Sequence, residues 1–132
     1  MTAARLAVLL ILALTLSGLG PALAAPCPLP GQTPMLLVKM YFGEVPADAW
    51  ERFLSGTITP RFSDGLTVYQ ARGQWTDTRT HRLVREESRV VEIATPDTPA
   101  VRKRIGEIAD GYRTAFHQQS VGIVTSPSCA SF

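Results

Sequence analysis

The chain has 132 residues and a formal net charge of +2, and 45% of its residues are hydrophobic. A chain of this length fits one small domain, and the nearly balanced charge excludes the basic surface of a typical nucleic-acid-binding protein. Nucleic acid is therefore not an expected partner.

Residues 1–24 differ from the rest of the chain. Arg5 precedes an apolar run over residues 6–16, Pro21 interrupts the apolar character, and small residues follow. This order is typical of a secretory signal peptide. Because the run is shorter than the ~20 residues of a membrane span, we favour a signal peptide over a membrane anchor. We expect a periplasmic or secreted protein with no integral membrane segment after cleavage.

The only two cysteines, Cys27 and Cys129, lie near the two ends of the predicted mature chain. Export would take them to an oxidising compartment, where a disulfide persists. We predict a Cys27–Cys129 bridge, with two free thiols or an intermolecular bridge as alternatives. A lipoprotein is disfavoured because Pro26, rather than a small residue, precedes Cys27. Redox catalysis is not expected, since no Cys-x-x-Cys motif is present.

A proline-rich lead-in over residues 25–34 precedes a single predicted domain over residues 35–132. Residues 35–43 alternate as a strand with one wholly apolar face, and Lys39 and Tyr41 lie on the other, mixed face. Residues 46–56 predict a helix, because proline suits a first turn and glycine suits a helix end.

The second half of the domain predicts a hairpin, a helix and a strand. Strands over residues 66–75 and 83–94 flank a polar connection. Thr98 or Asp97 caps a helix that runs to about residue 118, and its apolar residues recur at intervals of three and four. A short last strand covers residues 121–125, before the segment that carries Cys129.

This order of elements predicts the α+β class, as a ferredoxin-like βαββαβ sandwich. Two right-handed strand-helix-strand units give a four-stranded antiparallel sheet with both helices on one face. The first and third strands would be central. On the open face, Lys39 and Tyr41 would then neighbour Val90 and Glu92.

Six short segments, together with Trp50 and Phe53 of the predicted first helix, form a linked pattern that covers nearly the whole predicted mature chain. They are YFG at 41–43, TPRFSDGLTV at 59–68, GQW at 73–75, VREESRVV at 84–91, YRTAFHQQSV at 112–121 and CASF at 129–132. Together they resemble the bacterial domain of unknown function 3574 family. The resemblance implies a small exported protein and no assigned activity. Val45-Pro46 departs from the Ser or Thr that often caps the first helix in this family.

Arg61 is the one residue of TPRFSDGLTV whose chemistry reaches beyond a turn. The Thr59-Pro60 pair predicts that a helix does not run straight into Arg61, and Asp64-Gly65 is a turn pair. The planar guanidinium of Arg61 could bind a carboxylate or phosphate. The competing interpretation is structural, with Arg61 bound to Asp64 or to backbone carbonyls.

Gln74 and Trp75 place an amide beside an indole, a combination that can line a ligand pocket. The competing interpretation is a strand end with a packed Trp75. The polar run over residues 85–89 either forms cross-strand ion pairs or lets Glu86 or Ser88 form a pocket wall facing Arg61 or Gln74.

The sequence offers no recognisable cofactor or metal motif. His81 lies in the polar connection and His117 near a helix end, and no cluster has the spacing of metal ligands. Phosphate-loop and dinucleotide-binding patterns are also missing from the sequence. We therefore expect neither a cofactor nor a metal.

These observations favour a non-catalytic domain that binds a small ligand or an envelope protein on its open sheet face. The expected contacts are Lys39, Tyr41, Arg61, Gln74 and Trp75. The same face could instead pair with a second copy of the chain in a homodimer. The alternative is an enzyme without a cofactor, with Glu86 or His117 as acid or base in a pocket between two such sheets. A purely structural envelope protein is the third hypothesis.

Overall fold

A computed structural model describes residues 26–132, so the predicted signal peptide over residues 1–24 lies outside the described residues. The helices and strands follow in the predicted order: β1 (Thr33–Phe42), α1 (Ala47–Phe53), β2 (Thr67–Thr76), β3 (Leu83–Thr95), α2 (Pro99–Phe116) and β4 (Gly122–Ala130).

The four strands form one antiparallel sheet in the order β2-β3-β1-β4. This is the predicted ferredoxin-like α+β arrangement, with β1 and β3 at the centre. The predicted neighbours on the open face are also confirmed, because Lys39 lies opposite Glu92 and Tyr41 lies opposite Val90. The alternation of β1 therefore divides its residues between a core face and an open face.

The core lies between one face of the sheet and the two helices. Val38, Met40 and Phe42 of β1 are fully buried there. Both helices contribute to the same cluster, in which the ring of Phe42 contacts Trp50 of α1 and Tyr112 of α2, with ring centroids 5.3 and 4.8 Å apart. Burial of such large apolar side chains stabilises the fold by about 1.5–3 kcal/mol each.

The first helical segment differs from the predicted helix over residues 46–56. The α-helix ends at Phe53, and a π-helical turn, Leu54–Ile58, and a 3-10 turn, Thr59–Arg61, continue it. The prediction that Thr59-Pro60 would stop a helix before Arg61 was wrong, because Pro60 fits the first turn of the 3-10 helix. Pro46 occupies the N-cap without a side-chain hydrogen bond.

The end of the chain forms a longer strand than the predicted one over residues 121–125. Strand β4 continues through Pro127, which lies opposite Leu36. A proline is tolerated here because β4 is an edge strand, so one side of its backbone needs no ladder partner. The helix before it is capped as predicted, since the Thr98 hydroxyl accepts a hydrogen bond from the Val101 amide at 3.2 Å.

The predicted disulfide joins the lead-in to this edge strand. Cys27 and Cys129 are bonded, with their Cα atoms 5.7 Å apart and 102 positions apart in sequence. The Gln32 side-chain amide also donates to the Cys129 carbonyl at 3.4 Å. Both ends of the described chain therefore lie at the same edge of the sheet, the edge that β4 forms.

Candidate functional site

A groove forms on the open face at the end of the sheet where β1 stops. Pairing of β1 with β3 ends at Phe42 opposite Arg89, whereas β2 and β3 remain paired as far as Thr76 opposite Leu83. The hairpin thus projects beyond the central strand. The connection between α2 and β4, residues 117–121, passes on the other side. Between them lies a groove of about 720 Å³.

Small residues form the floor of this groove. Ala71 and Gly73 of β2 lie opposite Ser88 and Glu86 of β3 on the open face. A Cβ atom added at Gly73 would lie 3.7 Å from the Ser88 hydroxyl oxygen, an ordinary contact distance. The concavity therefore comes from short side chains between longer ones, and a larger residue at position 73 would fill it.

Two aromatic residues, Tyr41 and Trp75, border this floor, and Tyr69 lies next to it on the open face. Tyr41 lies opposite both Val90 and Gly122, and a Cβ atom added at Gly122 would lie 3.3 Å from the Cβ of Tyr41. Tyr69 lies opposite Val90 from the other side, which explains why Val90 is buried on an otherwise open face. Trp75 borders the groove from the hairpin and is 36% exposed.

Two acceptor oxygens meet at Gly43, just after β1. A Cβ atom added at Gly43 would lie 2.6 Å from Oε1 of Gln118 and 3.2 Å from Oε1 of Glu86. The Gln118 amide nitrogen donates to the Glu44 carbonyl at 3.3 Å. Glycine at position 43 thus leaves space for the carboxylate of one strand and the amide of the α2–β4 connection to approach each other.

Buried Tyr112 supports this position from the core side. Its hydroxyl donates to the Gly43 carbonyl at 2.7 Å. Burial, and then the negative charge of Glu86, raise the pKa of Tyr112 to about 12, so the phenol stays neutral and donates its proton. The side chain therefore fixes the end of β1 beneath the groove.

Asp77 at the hairpin turn borders the groove but is already bound. Its carboxylate accepts hydrogen bonds from the backbone amides of Arg79 and Thr80 at 2.8 and 2.9 Å. The amides of Thr80 and Arg79 hold the pKa of Asp77 below its usual range. Asp77 therefore shapes the β2–β3 turn at the edge of the groove.

The structure brings together only some of the five residues that we expected to contact a ligand. Tyr41 and Trp75 both border the groove. Lys39 lies farther along the open face, where its ammonium group forms a 2.9 Å ion pair with Glu92. The hydrogen bond and charge of Glu92 raise the pKa of Lys39.

Gln74 and Arg61 are placed differently. Gln74 borders the groove, but strand alternation directs its side chain away from that of Trp75, toward a smaller depression lined also by Glu44 and Arg85. Arg61 does not border the groove. Its guanidinium donates to the Thr57 carbonyl at 2.8 Å, which fits the structural interpretation of this residue.

The polar run in β3 also divides between the two faces as alternation requires. Arg72 pairs with Glu87 at 3.5 Å on the helix-bearing side, whereas Glu86 and Ser88 line the groove. His117 lines the same groove, at a left-handed position with φ of 53° that ends α2. The two residues of the enzyme hypothesis, Glu86 and His117, therefore border one cavity.

Three groove residues carried little signal in the sequence. Gly43, Gly73 and Gln118 act through the space that they leave or the atoms that they place, and that depends on which strands pair. The glycines could have been noticed as strand positions without a side chain, which often mark the close approach of a ligand or another segment. Gln118 lies in the YRTAFHQQSV segment of the family resemblance, but neither its residue type nor its spacing pointed to a binding role.

The described part of the chain holds neither a cluster of metal ligands nor a helix that could cross a membrane. Across residues 26–132, His, Cys, Asp and Glu side chains form no group of three or more that could hold a metal ion. None of the helices in the same range is both long and apolar enough to cross a membrane.

A family model described as "Protein of unknown function (DUF3574)" matches residues 38–132, which include both strands that carry the groove floor. No curated protein matches the sequence significantly.

Several solved structures share the fold at low sequence identity. A phage S-adenosylmethionine lyase in complex with S-methyl-5'-thioadenosine superposes with a TM-score of 0.58 and 14% identity, over 74% of this chain and 90% of that one. CutA from Synechococcus elongatus PCC7942 superposes with a TM-score of 0.52 and 7% identity, over 76% of this chain and 83% of that one. A putative PII-like signalling protein from Thermus thermophilus superposes with a TM-score of 0.51 and 15% identity, over 76% of this chain and 92% of that one.

Proposed function

Since this chain belongs to the family of proteins of unknown function DUF3574, whose description assigns no activity, we propose a function from the groove itself. The protein is an exported domain that binds a small molecule in the groove and does not convert it. The observation that carries this proposal is the floor of short side chains between Tyr41 and Trp75. The volume of the groove, about 720 Å³, falls in the range of small-molecule sites.

Binding is favoured over catalysis by the way the titratable groups are held. A catalytic base is usually oriented by a hydrogen bond to a third group. Neither the Glu86 carboxylate nor the His117 ring forms a hydrogen bond or ion pair with another side chain among residues 26–132. Glu86 and His117 still share one groove, so an enzyme that gains its orienting group from a second copy is the alternative.

Export is supported by the two ends of the chain. The Cys27–Cys129 bond requires an oxidising compartment for its persistence, and the order of residues 1–24 is that of a signal peptide. Mass spectrometry of the protein purified from the producing cell would show cleavage near residue 24 and the loss of two hydrogens. An uncleaved chain with both thiols free would contradict export.

The groove proposal is tested with a variant that fills the floor. Gly73→Val places a β-branched residue where a Cβ meets only ordinary contacts, so we expect the strand to fold normally. Gln70→Val is the matched control, because Gln70 is an exposed residue of the same strand on the opposite face. Both variants and the parent are screened by thermal shift against sugars, amino acids, nucleosides, amines and organic anions.

A ligand present at ten times its dissociation constant stabilises the folded state by about 1.4 kcal/mol, which raises the melting temperature by several degrees. We expect such a rise in the parent and in Gln70→Val, and its loss in Gly73→Val. A compound that stabilises Gly73→Val as strongly as the parent would place binding outside the groove and contradict the proposal.

A protein partner remains the second candidate, because the open face also exposes apolar side chains beyond the groove. Tyr69 is 46% and Val124 is 54% exposed. A second copy of the chain is the simplest partner for such a face. Light scattering on the oxidised protein would detect a dimer, and Val124→Lys should dissociate it if the open faces are in contact.

A further inference from the structure

The Glu86 carboxylate has no cationic partner, although basic residues surround it in sequence. Arg85 and Arg89 flank it on β3, but alternation places both on the helix-bearing side of the sheet. Arg72, on the neighbouring strand, pairs with Glu87 instead. Within residues 26–132, no Lys, Arg or His nitrogen lies within the ion-pair distance of Glu86. A half-buried negative charge is therefore left uncompensated in the groove.

Gln118 adds a second acceptor beside this charge. Its amide nitrogen is engaged by the Glu44 carbonyl, so its oxygen is directed to the side of Gly43 where Glu86 lies. Both oxygens are close to one point, at 2.6 and 3.2 Å, so their separation is at most the sum of those two distances. Because both oxygens lie near one point, a single ammonium group with three N–H donors can donate to both of them.

We propose that the ligand is a small molecule with a protonated amine, an inference that rests on the groove function proposed above. Its ammonium group donates to the Glu86 carboxylate and the Gln118 amide oxygen, and its apolar part lies against Trp75. Trp75 and Glu86 are diagonal neighbours on the open face, since Gly73 lies opposite Glu86 and Trp75 lies opposite Val84. Diagonal cross-strand positions are within reach of an aromatic side chain. The ammonium group also gains from the face of a nearby indole.

The test compares amines with uncharged counterparts of the same shape. Isothermal titration calorimetry at neutral pH is carried out with a panel of small primary amines that includes phenethylamine, each beside its alcohol, such as 2-phenylethanol. These amines are protonated at neutral pH, as a lysine is. The proteins are the disulfide-bonded parent, Glu86→Gln, and the control Glu87→Gln. Glu87 is the next residue of the same strand, and its side chain lies on the opposite face.

We expect at least one amine to bind the parent more tightly than its alcohol. Its dissociation constant should rise by about tenfold in Glu86→Gln, because the ammonium group would then donate to a neutral amide oxygen instead of a carboxylate. It should stay within about twofold in Glu87→Gln. Urea unfolding of Glu86→Gln is measured in parallel, so that weaker binding is not confused with a loss of folding.

Equal binding of amine and alcohol, or undiminished amine binding by folded Glu86→Gln, would overturn the amine proposal. If no amine binds, but other compounds stabilise the parent and not Gly73→Val, the amine proposal fails and the groove function stands. If no amine and no other compound binds the parent more tightly than it binds Gly73→Val, both proposals fail.

Discussion

Removal of the Cys27–Cys129 bond should cost a large share of the stability of this fold. The bond closes a loop with a sequence separation of 102 residues. For a loop of about 100 residues, the chain-entropy model gives about 4–5 kcal/mol of stabilisation, because the bond restricts the unfolded chain. The folded state should lose little, since β4 pairs with β1 along its whole length without it. The total free energy of unfolding of a small domain is about 5–15 kcal/mol.

The assay is urea unfolding of the oxidised protein and of the double variant Cys27→Ser/Cys129→Ser. We expect the free energy of unfolding to fall by about 4–5 kcal/mol. The denaturant slope should rise slightly, because the unlinked chain expands further on unfolding. Amide exchange then shows whether β4 remains paired. A loss below about 1 kcal/mol would refute the loop argument. A loss of about 4–5 kcal/mol in which the β4 amides also lose their protection from exchange would show that the bond acts by holding the strand in place.

Two further predictions concern the core and the second helix. Tyr112→Phe removes the hydroxyl that donates to the Gly43 carbonyl, and should destabilise the fold by about 1–2 kcal/mol at pH 8 in urea unfolding. Burial raises the pKa of Tyr112 from 10.0 to about 12, so its stabilising contribution is complete below pH 10 and lost as the pH rises toward 12. The parent should therefore lose roughly 2–3 kcal/mol more than Tyr112→Phe across that interval, and equal alkaline losses would contradict this assignment. Thr98→Ala removes the N-cap of α2 and should cost about 1 kcal/mol, whereas Thr98→Ser should cost much less.

Most of the fold could be predicted because strand and helix periods are local properties of the sequence. The alternation in β1 assigned Val38, Met40 and Phe42 to the core, and the pairing of β1 with β3 followed from topology rules. The length of β4 could not be predicted as readily. Pro127 is a strand-breaking residue by propensity, and it is tolerated because the edge position removes the need for a partner on one side.

The candidate site was less predictable, because the groove depends on what three segments leave empty. Tyr41 and Trp75 could be proposed from their residue types, and the structure brings them to one cavity. Arg61 was separated from them by the helical turns after α1, which carry it to the Thr57 carbonyl. The position of Gln74 relative to Trp75 could have been judged from alternation alone. The meeting of Gln118 with Glu86 depends on the path of the α2–β4 connection, and no local pattern encodes it.

The most direct test of the groove is a fragment screen followed by two-dimensional ¹⁵N–¹H NMR on the oxidised protein. The two tryptophans report separately, because Trp75 borders the groove and Trp50 is buried in the core at 2% exposure. Trp75→Phe assigns the two indole signals. We predict that binding fragments move the Trp75 indole signal and the amides of residues 71–75 and 117–120, and leave the Trp50 indole signal in place. Saturating fragments that shift amides elsewhere, with the Trp75 signal fixed, would contradict a ligand site in the groove.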